Sequence, residues 1–182
     1  MTVGFRLSGH DNGGWYYQDS GLRLCDICGR LFDTDWISPT FKTRFTHDLS
    51  STYDGVWIAS NALKEALDGV QGAALSPLPA DQHHWVLTTT QVVQVSWQLS
   101  EMRVDRVCPA CERPQGVVDS GLVLQEMPPS GLSRSSVLRG DSYYGPSQPM
   151  GSVQDLIADA DLGTALKRLG LRMQLDPVRL VS

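Results

Sequence analysis

Four cysteines carry the clearest chemistry in this 182-residue chain, and they fall into two pairs, Cys25-Asp26-Ile27-Cys28 and Cys108-Pro109-Ala110-Cys111. Two residues between thiols let one tight turn aim both sulfurs at a single tetrahedral ion, with Zn–S of about 2.3 Å. A glycine after the second cysteine can take φ > 0 and turn backbone N–H groups toward the sulfurs. Gly29 meets that need and Glu112 does not, so the second turn is expected to be the less regular, with Pro109 stiffening it. A thioredoxin-like redox pair would put one motif at a strand–helix junction, and neither pair precedes a helical pattern. Four inert buried thiols would not call for two such spacings. The expectation is one structural zinc held by Cys25, Cys28, Cys108 and Cys111, a zinc-ribbon-like clip with no open catalytic position. The pairs are 79 residues apart, against about 15–20 in a common zinc ribbon. The intervening chain must therefore form its own structure and bring the turns together.

No second constellation of comparable specificity is present. The histidines are His10, His47, His83 and His84, and none sits in a His-Glu-x-x-His pattern. A Gly-x-Ser-x-Gly elbow, a Walker loop and a Gly-x-Gly-x-x-Gly turn after a strand are all missing from the sequence. His47-Asp48 and Asp33-Thr34-Asp35 could pair for acid–base work, but polar loops offer such pairs routinely. The chain reads as not an enzyme. Two clusters instead have the composition of a protein-binding surface. Leu31-Phe32-Asp33-Thr34-Asp35-Trp36 mixes aromatic rings with carboxylates, and Asp48, Tyr53 and Asp54 form a second group. Core aromatics flanked by solvated aspartates would produce the same composition.

The charge balance sorts the partners. Fifteen Lys and Arg against twenty Asp and Glu give −5, and the excess lies in residues 1–100, with six basic against ten acidic residues. Nucleic-acid binding draws on a basic face and counterion release, so no nucleic-acid partner is expected from this balance. An acidic front half suits a basic protein partner. No leader pattern opens the sequence, and no stretch approaches the ~18 apolar residues of a spanning helix. A cytoplasmic protein without a membrane partner is the expectation, and a reducing compartment favours metal ligation over disulfides.

The elements that must position these residues are partly legible. Residues 55–59 suggest a buried strand. Leu63, Ala66, Leu67 and Val70 then share one helix face with Asn61 as a cap, and residues 73–78 return as a strand. Near the C-terminus Leu156-Ile157-Ala158 leads to Leu162, Ala165, Leu166 and Leu169, then Gly170, then 173–178. The offset between the two patterns is 99–100 residues, which points to an internal repeat of a strand–helix–strand unit at about 55–79 and 153–180. Val93 to Leu99, Phe41 to Phe45, and 117–124 read as further strands. Residues 127–150 contain 13 Pro, Gly and Ser among 24, a long loop with at most a short strand near Val137-Leu138. The fold expected is α+β: a single domain over 1–182, with a mixed sheet, two strand–helix–strand units, and cysteine knuckles at 25–29 and 108–112.

Cys25-x-x-Cys28-Gly29, the imperfect copy at Cys108 and Cys111, and the segment Ile157…Leu162…Ala165-Leu166…Leu169-Gly170-Leu171 together resemble the double-CXXCG family, noted as paralogues in myxobacteria. Some members are immunity proteins beside polymorphic contact-dependent toxins. The resemblance implies a cytoplasmic binder that neutralises a cognate toxin domain by protein–protein contact. It marks Cys25, Cys28, Gly29, Cys108 and Cys111; Glu112 departs from the expected second glycine. Asp33, Asp35, Trp36, Asp48, Tyr53 and Asp54 are the candidate partner-binding residues. The rival is a zinc-ribbon nucleic-acid-binding or transcription-associated protein, for which Arg23, Arg30, Arg103, Arg106 and Arg113 lie close to the cysteines in sequence.

Overall fold

Val3, Phe5 and Leu7 alternate with Gly4 and Arg6 at the head of the chain, and in the computed structural model this segment is strand β1 (Thr2–Ser8). The structure describes residues 2–17, 21, 25–28, 36–44, 47–112, 114–115, 118, 121–125, 136–144 and 153–181. After β1 come β2 (His10–Asp11), β3 (Leu49–Ser51), β4 (Trp57–Ser60), helix α1 (Asn61–Ala66), β5 (Ala73–Leu78), β6 (Asp81–Thr89) and β7 (Val92–Val93). The chain continues through β8 (Arg106–Val107), β9 (Pro114–Gln115), β10 (Val123–Leu124), β11 (Val137–Tyr144), β12 (Val153–Asp159), helix α2 (Ala160–Leu169) and β13 (Gln174–Leu180).

The strands form two main sheets and a small β8–β9 hairpin. One sheet has the order β10-β13-β1-β12-β11-β7 and the other β2-β3-β4-β6-β5. Val95 pairs with Leu124 beyond the end of β7, Ser96 N–H donates to Val123 C=O (2.8 Å), and Gln125 N–H donates to Gln94 C=O (3.0 Å). These bonds join the β7 edge to β10, so the six-stranded sheet nearly closes on itself. Such closure removes most exposed edge donors and acceptors.

Period-two alternation then assigns the apolar side chains to separate cores. Ile157 packs with Val93, Val95, Leu124, Leu138 and Val178. Ile58 packs with Tyr16, Phe41, Val56, Leu78 and Val86. Their neighbours Ala59, Leu156 and Ala158 turn the other way, into a cluster shared by both sheets and both helices, with Leu63 of α1, Leu67 at its C-cap, and Leu162 and Leu166 of α2.

Both helices begin at a side-chain cap. Ser60 Oγ accepts the Leu63 N–H at 3.2 Å and Asp159 Oδ1 accepts the Leu162 N–H at 2.8 Å, satisfying donors a helix start leaves open. The cap of α1 is thus Ser60, one residue before the expected Asn61. Asn61 instead accepts a bond from Trp85 Nε1 (2.7 Å). α1 is also shorter than its apolar spacing suggests, and Val70 reaches the shared core from the following turn. α2 ends at Gly170, which takes φ 65° and closes the helix in the left-handed conformation. Its Gly163 presses on β1, since a Cβ there would lie 2.0 Å from the Phe5 ring.

Several expectations are corrected. Of the strand expected over Val93–Leu99, only Val92–Val93 forms; Trp97–Glu101 makes a turn in which Ser100 N–H reaches Ser96 C=O, and Leu99 is 48% exposed. The alternating segment from Phe41 lies in no sheet over its described residues, because Thr43 is held by the Asp81 carboxylate instead. Within 117–124 the described strand is Val123–Leu124 alone. Strand β11 occupies Val137–Tyr144, so the 127–150 stretch is not one loop; its residues 127–135 and 145–150 lie outside the described residues. What stands is a mixed, strand-rich fold with two helices among the described residues. None of those helices is long and apolar enough to cross a membrane.

Asp81 ties the Phe41 segment to β6. Thr43 donates to its carboxylate through N–H (3.1 Å) and Oγ1 (2.5 Å), and His84 Nδ1 lies 3.0 Å from the other oxygen. Burial alone would raise the Asp81 carboxyl, but the bonds from Thr43 and His84 outweigh it and hold it well below the usual carboxylate range. A depressed folded value adds stability above the unfolded value of about 3.9, and that stability drains as pH falls toward the folded value. Urea unfolding of Asp81→Asn at a series of pH values should show lower stability at pH 7 and a shallower decline between about pH 5 and pH 2 than the parent chain.

Candidate metal centre

The two cysteine turns are built differently. Cys25–Cys28 is a tight turn, whereas Cys108 directly follows β8, and the β8–β9 hairpin pairs Arg106 with Gln115 and Val107 with Pro114 around the second turn. In the first turn the backbone N–H groups of Cys28 and Ile27 point at the Cys25 sulfur and lower its thiol below the ordinary value. In the second, burial works to raise the Cys108 thiol. The N–H groups of Cys111 and Ala110 outweigh it and bring Cys108 down to about 6. Each turn therefore favours thiolate, the form that ligates a metal.

Glu112 departs from expectation. It adopts φ 55°, the left-handed conformation a glycine would have supplied, and its N–H closes the turn on Cys108 C=O at 2.9 Å. The second knuckle keeps its geometry and carries the backbone strain in a glutamate. Gly29, the corresponding residue of the first turn, lies outside the described residues.

The fold brings the pairs together. Cys25 Sγ lies 3.7 Å from Cys108 Sγ and Cys28 Sγ lies 3.6 Å from Cys111 Sγ, too far for disulfides, and all four cysteines are free. All four sulfurs lie within 4.8 Å of one another; Cys25, Cys28 and Cys108 are buried and Cys111 is partly exposed. An ideal tetrahedron with metal–sulfur bonds of about 2.3 Å has edges of about 3.8 Å, and the two close pairs match that edge. The donor set, its burial and the lowered thiols of Cys25 and Cys108 fit one thiophilic ion. Four such ligands fill a tetrahedral shell.

The other candidate residues have varied surroundings. Asp33 and Asp35 lie outside the described residues. Trp36 is half-buried against the rings of Tyr16 (centroids 5.8 Å) and Tyr17 (5.9 Å). Tyr53 meets the edge of Trp15 at 5.6 Å, and Trp15 borders a cavity of about 210 Å³ that Phe41, Lys42 and Arg44 also line. Asp48 accepts bonds from Ser60 Oγ (2.7 Å) and the Arg172 N–H (2.7 Å). Asp54 accepts from the N–H groups of Tyr16 and Tyr17 and from Thr52 Oγ1 (2.6 Å). These two carboxylates hold loops of the protein itself. His47 stacks on His10 at 3.9 Å, and burial lowers its pKa. The backbone donors expected to face the sulfurs are those of Ile27 and Cys28 in the first turn and Ala110 and Cys111 in the second.

No protein-family model matches the chain, and comparison with curated proteins finds no relative.

The strain at Glu112 can be read directly. Glu112→Gly should stabilise the protein by about 0.5–1 kcal/mol in chemical denaturation, the relief of left-handed strain less the added freedom of the unfolded chain. Glu112→Val should destabilise it, since β-branching disfavours positive φ further.

Proposed function

We propose that the protein is a cytoplasmic immunity protein: a binder without chemistry of its own that captures a cognate toxin domain, on a scaffold clipped by one structural zinc. The observation that carries the reading is the convergence of all four thiols on one buried point, a ligand set that zinc would complete and that leaves no position for substrate. The resemblance to double-CXXCG proteins and the acidic front half direct the scaffold to a basic protein partner. The strand–helix–strand segments around α1 and α2 are read as copies of one α+β unit, rigid supports for the surface that meets the toxin.

Partner contact is assigned to Asp33, Asp35, Trp36 and Tyr53 in the first place. Asp48 and Asp54 belong to the same region, and their bonds to neighbouring N–H and hydroxyl groups give them a structural duty as well. A nucleic-acid-binding role would use Arg103 and Arg106, both exposed near the second knuckle; salt-sensitive retardation of duplex DNA or RNA would favour it over toxin capture.

Purified protein should carry about one zinc per chain by mass spectrometry of the metal content. Cys28→Ser should release it and lower the thermal midpoint by about 10 °C or more, because metal-binding energy is folding energy. A metal-free protein with titrating thiols and an unchanged midpoint would refute the clip.

For the partner, co-expression with the product of the adjacent gene should rescue growth and yield a one-to-one complex. Asp33→Lys combined with Asp35→Lys should weaken capture about 30-fold or more, the equivalent of ~2 kcal/mol for a lost buried ion pair, with circular dichroism unchanged. Full protection by that double variant would remove this surface, and failure to bind the neighbouring product would remove the immunity role.

A further inference from the structure

Each main sheet has an inner strand that precedes or follows the run of chain supplying its other strands: β1 stands among strands from residues 92–180, and β6 among strands from residues 10–78. β1 runs antiparallel between β12 and β13, and β6 runs antiparallel between β4 and β5. The correspondence continues outward: β12–β11 and β4–β3 are antiparallel, while β11–β7 and β3–β2 are both parallel. The register agrees residue by residue. Leu7 lies opposite Leu156 and Leu175, and Leu87 lies opposite Trp57 and Leu75. Phe5 lies opposite Ala158 and Pro177, and Trp85 lies opposite Ala59 and Pro77. Matching positions also meet in the shared core, Leu7 with Leu87, Ala59 with Ala158 and Leu63 with Leu162.

The helix starts repeat one further bond with its partners interchanged. Ser60 N–H donates to Asp48 C=O (2.9 Å) and Ser60 Oγ to Asp48 Oδ1 (2.7 Å). Asp159 N–H donates to Ser136 C=O (3.1 Å), and here Ser136 Oγ donates to Asp159 Oδ2 (3.0 Å). Hydroxyl and carboxylate have traded places on the same backbone frame. The thiols follow the same relation: one pair lies between β2 and β3 in sequence, the other between β7 and β11, and equivalent sulfurs touch, Cys25 with Cys108 and Cys28 with Cys111.

We infer that the chain is a tandem duplication, Thr2–Leu78 and Asp81–Leu180, whose two copies have exchanged their first strands, so that the metal centre is an interface site to which each copy contributes one Cys-x-x-Cys pair. This extends the repeat from the strand–helix–strand segments to nearly the whole chain. It also accounts for the 79 residues between the pairs: the ligands belong to two copies, as in a dimer fused into one chain. The β5–β6 turn at Pro79–Ala80 then corresponds to the gap between the end of β13 and the start of β1, where Arg179 and Thr2 lie side by side. Only the metal clause rests on the four-thiolate reading.

Two experiments on the full chain test the equivalence, and neither reads the metal. The first is a double-mutant cycle at the clasp followed by thermal unfolding. Asp48→Ser and Ser60→Asp should each lower the midpoint by several degrees, Ser60→Asp the more because it sets two carboxylates together. The double variant, which gives the first copy the pattern of the second, should regain more than half of the loss of Ser60→Asp. A double variant that loses the sum of the two single effects, or more, would overturn the inference. The second is a circular permutant that opens at Pro79–Ala80 and joins Leu180 to Thr2 through a short Gly-Ser linker. It should unfold cooperatively with the parent's circular dichroism; a permutant without cooperative unfolding would overturn the inference while leaving the four-thiolate reading intact.

Discussion

Backbone hydrogen bonding on both sides of β1 and β6 is the constraint on which the other features depend. Each strand is flanked by two antiparallel neighbours, remote in sequence for β1 and including the adjacent β5 for β6, and an inner strand must match its register to both or leave buried N–H and C=O groups unpaired. Once β1 lies between β12 and β13, Phe5 is fixed beneath Gly163 of α2, and Arg6 is brought to the buried Asp155 carboxylate. Once β6 lies between β4 and β5, Trp85 reaches Asn61 and Asp81 reaches Thr43. Helices, loops and thiol turns are then hung on two sheets whose registers are already decided.

The acidic surplus has a second meaning inside this frame. Asp48, Asp54, Asp81 and Asp159 each accept bonds from backbone N–H groups of other segments, at Arg172, at Tyr16 and Tyr17, at Thr43, and at Ser136. An ionised carboxylate is a strong acceptor for such donors, and in a loop-rich protein it replaces the strand partners that irregular backbone lacks. Part of the charge that the composition offers to a basic partner is thus committed to holding loops in place.

At the cysteine turns the protein spends backbone geometry on electrostatics. N–H groups fan toward Cys25 and Cys108 and stabilise thiolate, and Glu112 accepts a left-handed conformation to keep the second fan closed. Four partial negative charges gathered within 4.8 Å would repel one another. A dication at their centre is the natural complement, and it would bind residues 25–28 to residues 108–111.

Local sequence determined those features whose physics is local. Cys-x-x-Cys spacing announced two turns able to share an ion, Pro77 and Leu78 ended β5 where expected, and the apolar period from Leu162 to Leu169 with Gly170 behind it described α2. Its periodicity could not say where a strand belongs: β1 went unrecognised because its partners, β12 and β13, lie at the far end of the chain, and much of β6 because its strand order is set by pairing with β4 as well as with the adjacent β5. The same limit misjudged the Phe41 and Val93 segments, whose alternation is real but whose hydrogen bonds go to Asp81 and to a turn. Only the tertiary structure decided that the two cysteine pairs meet, that Glu112 can do a glycine's work, and that Asp48 and Asp54 face inward to backbone donors, because each depends on distances between segments that no window of sequence contains.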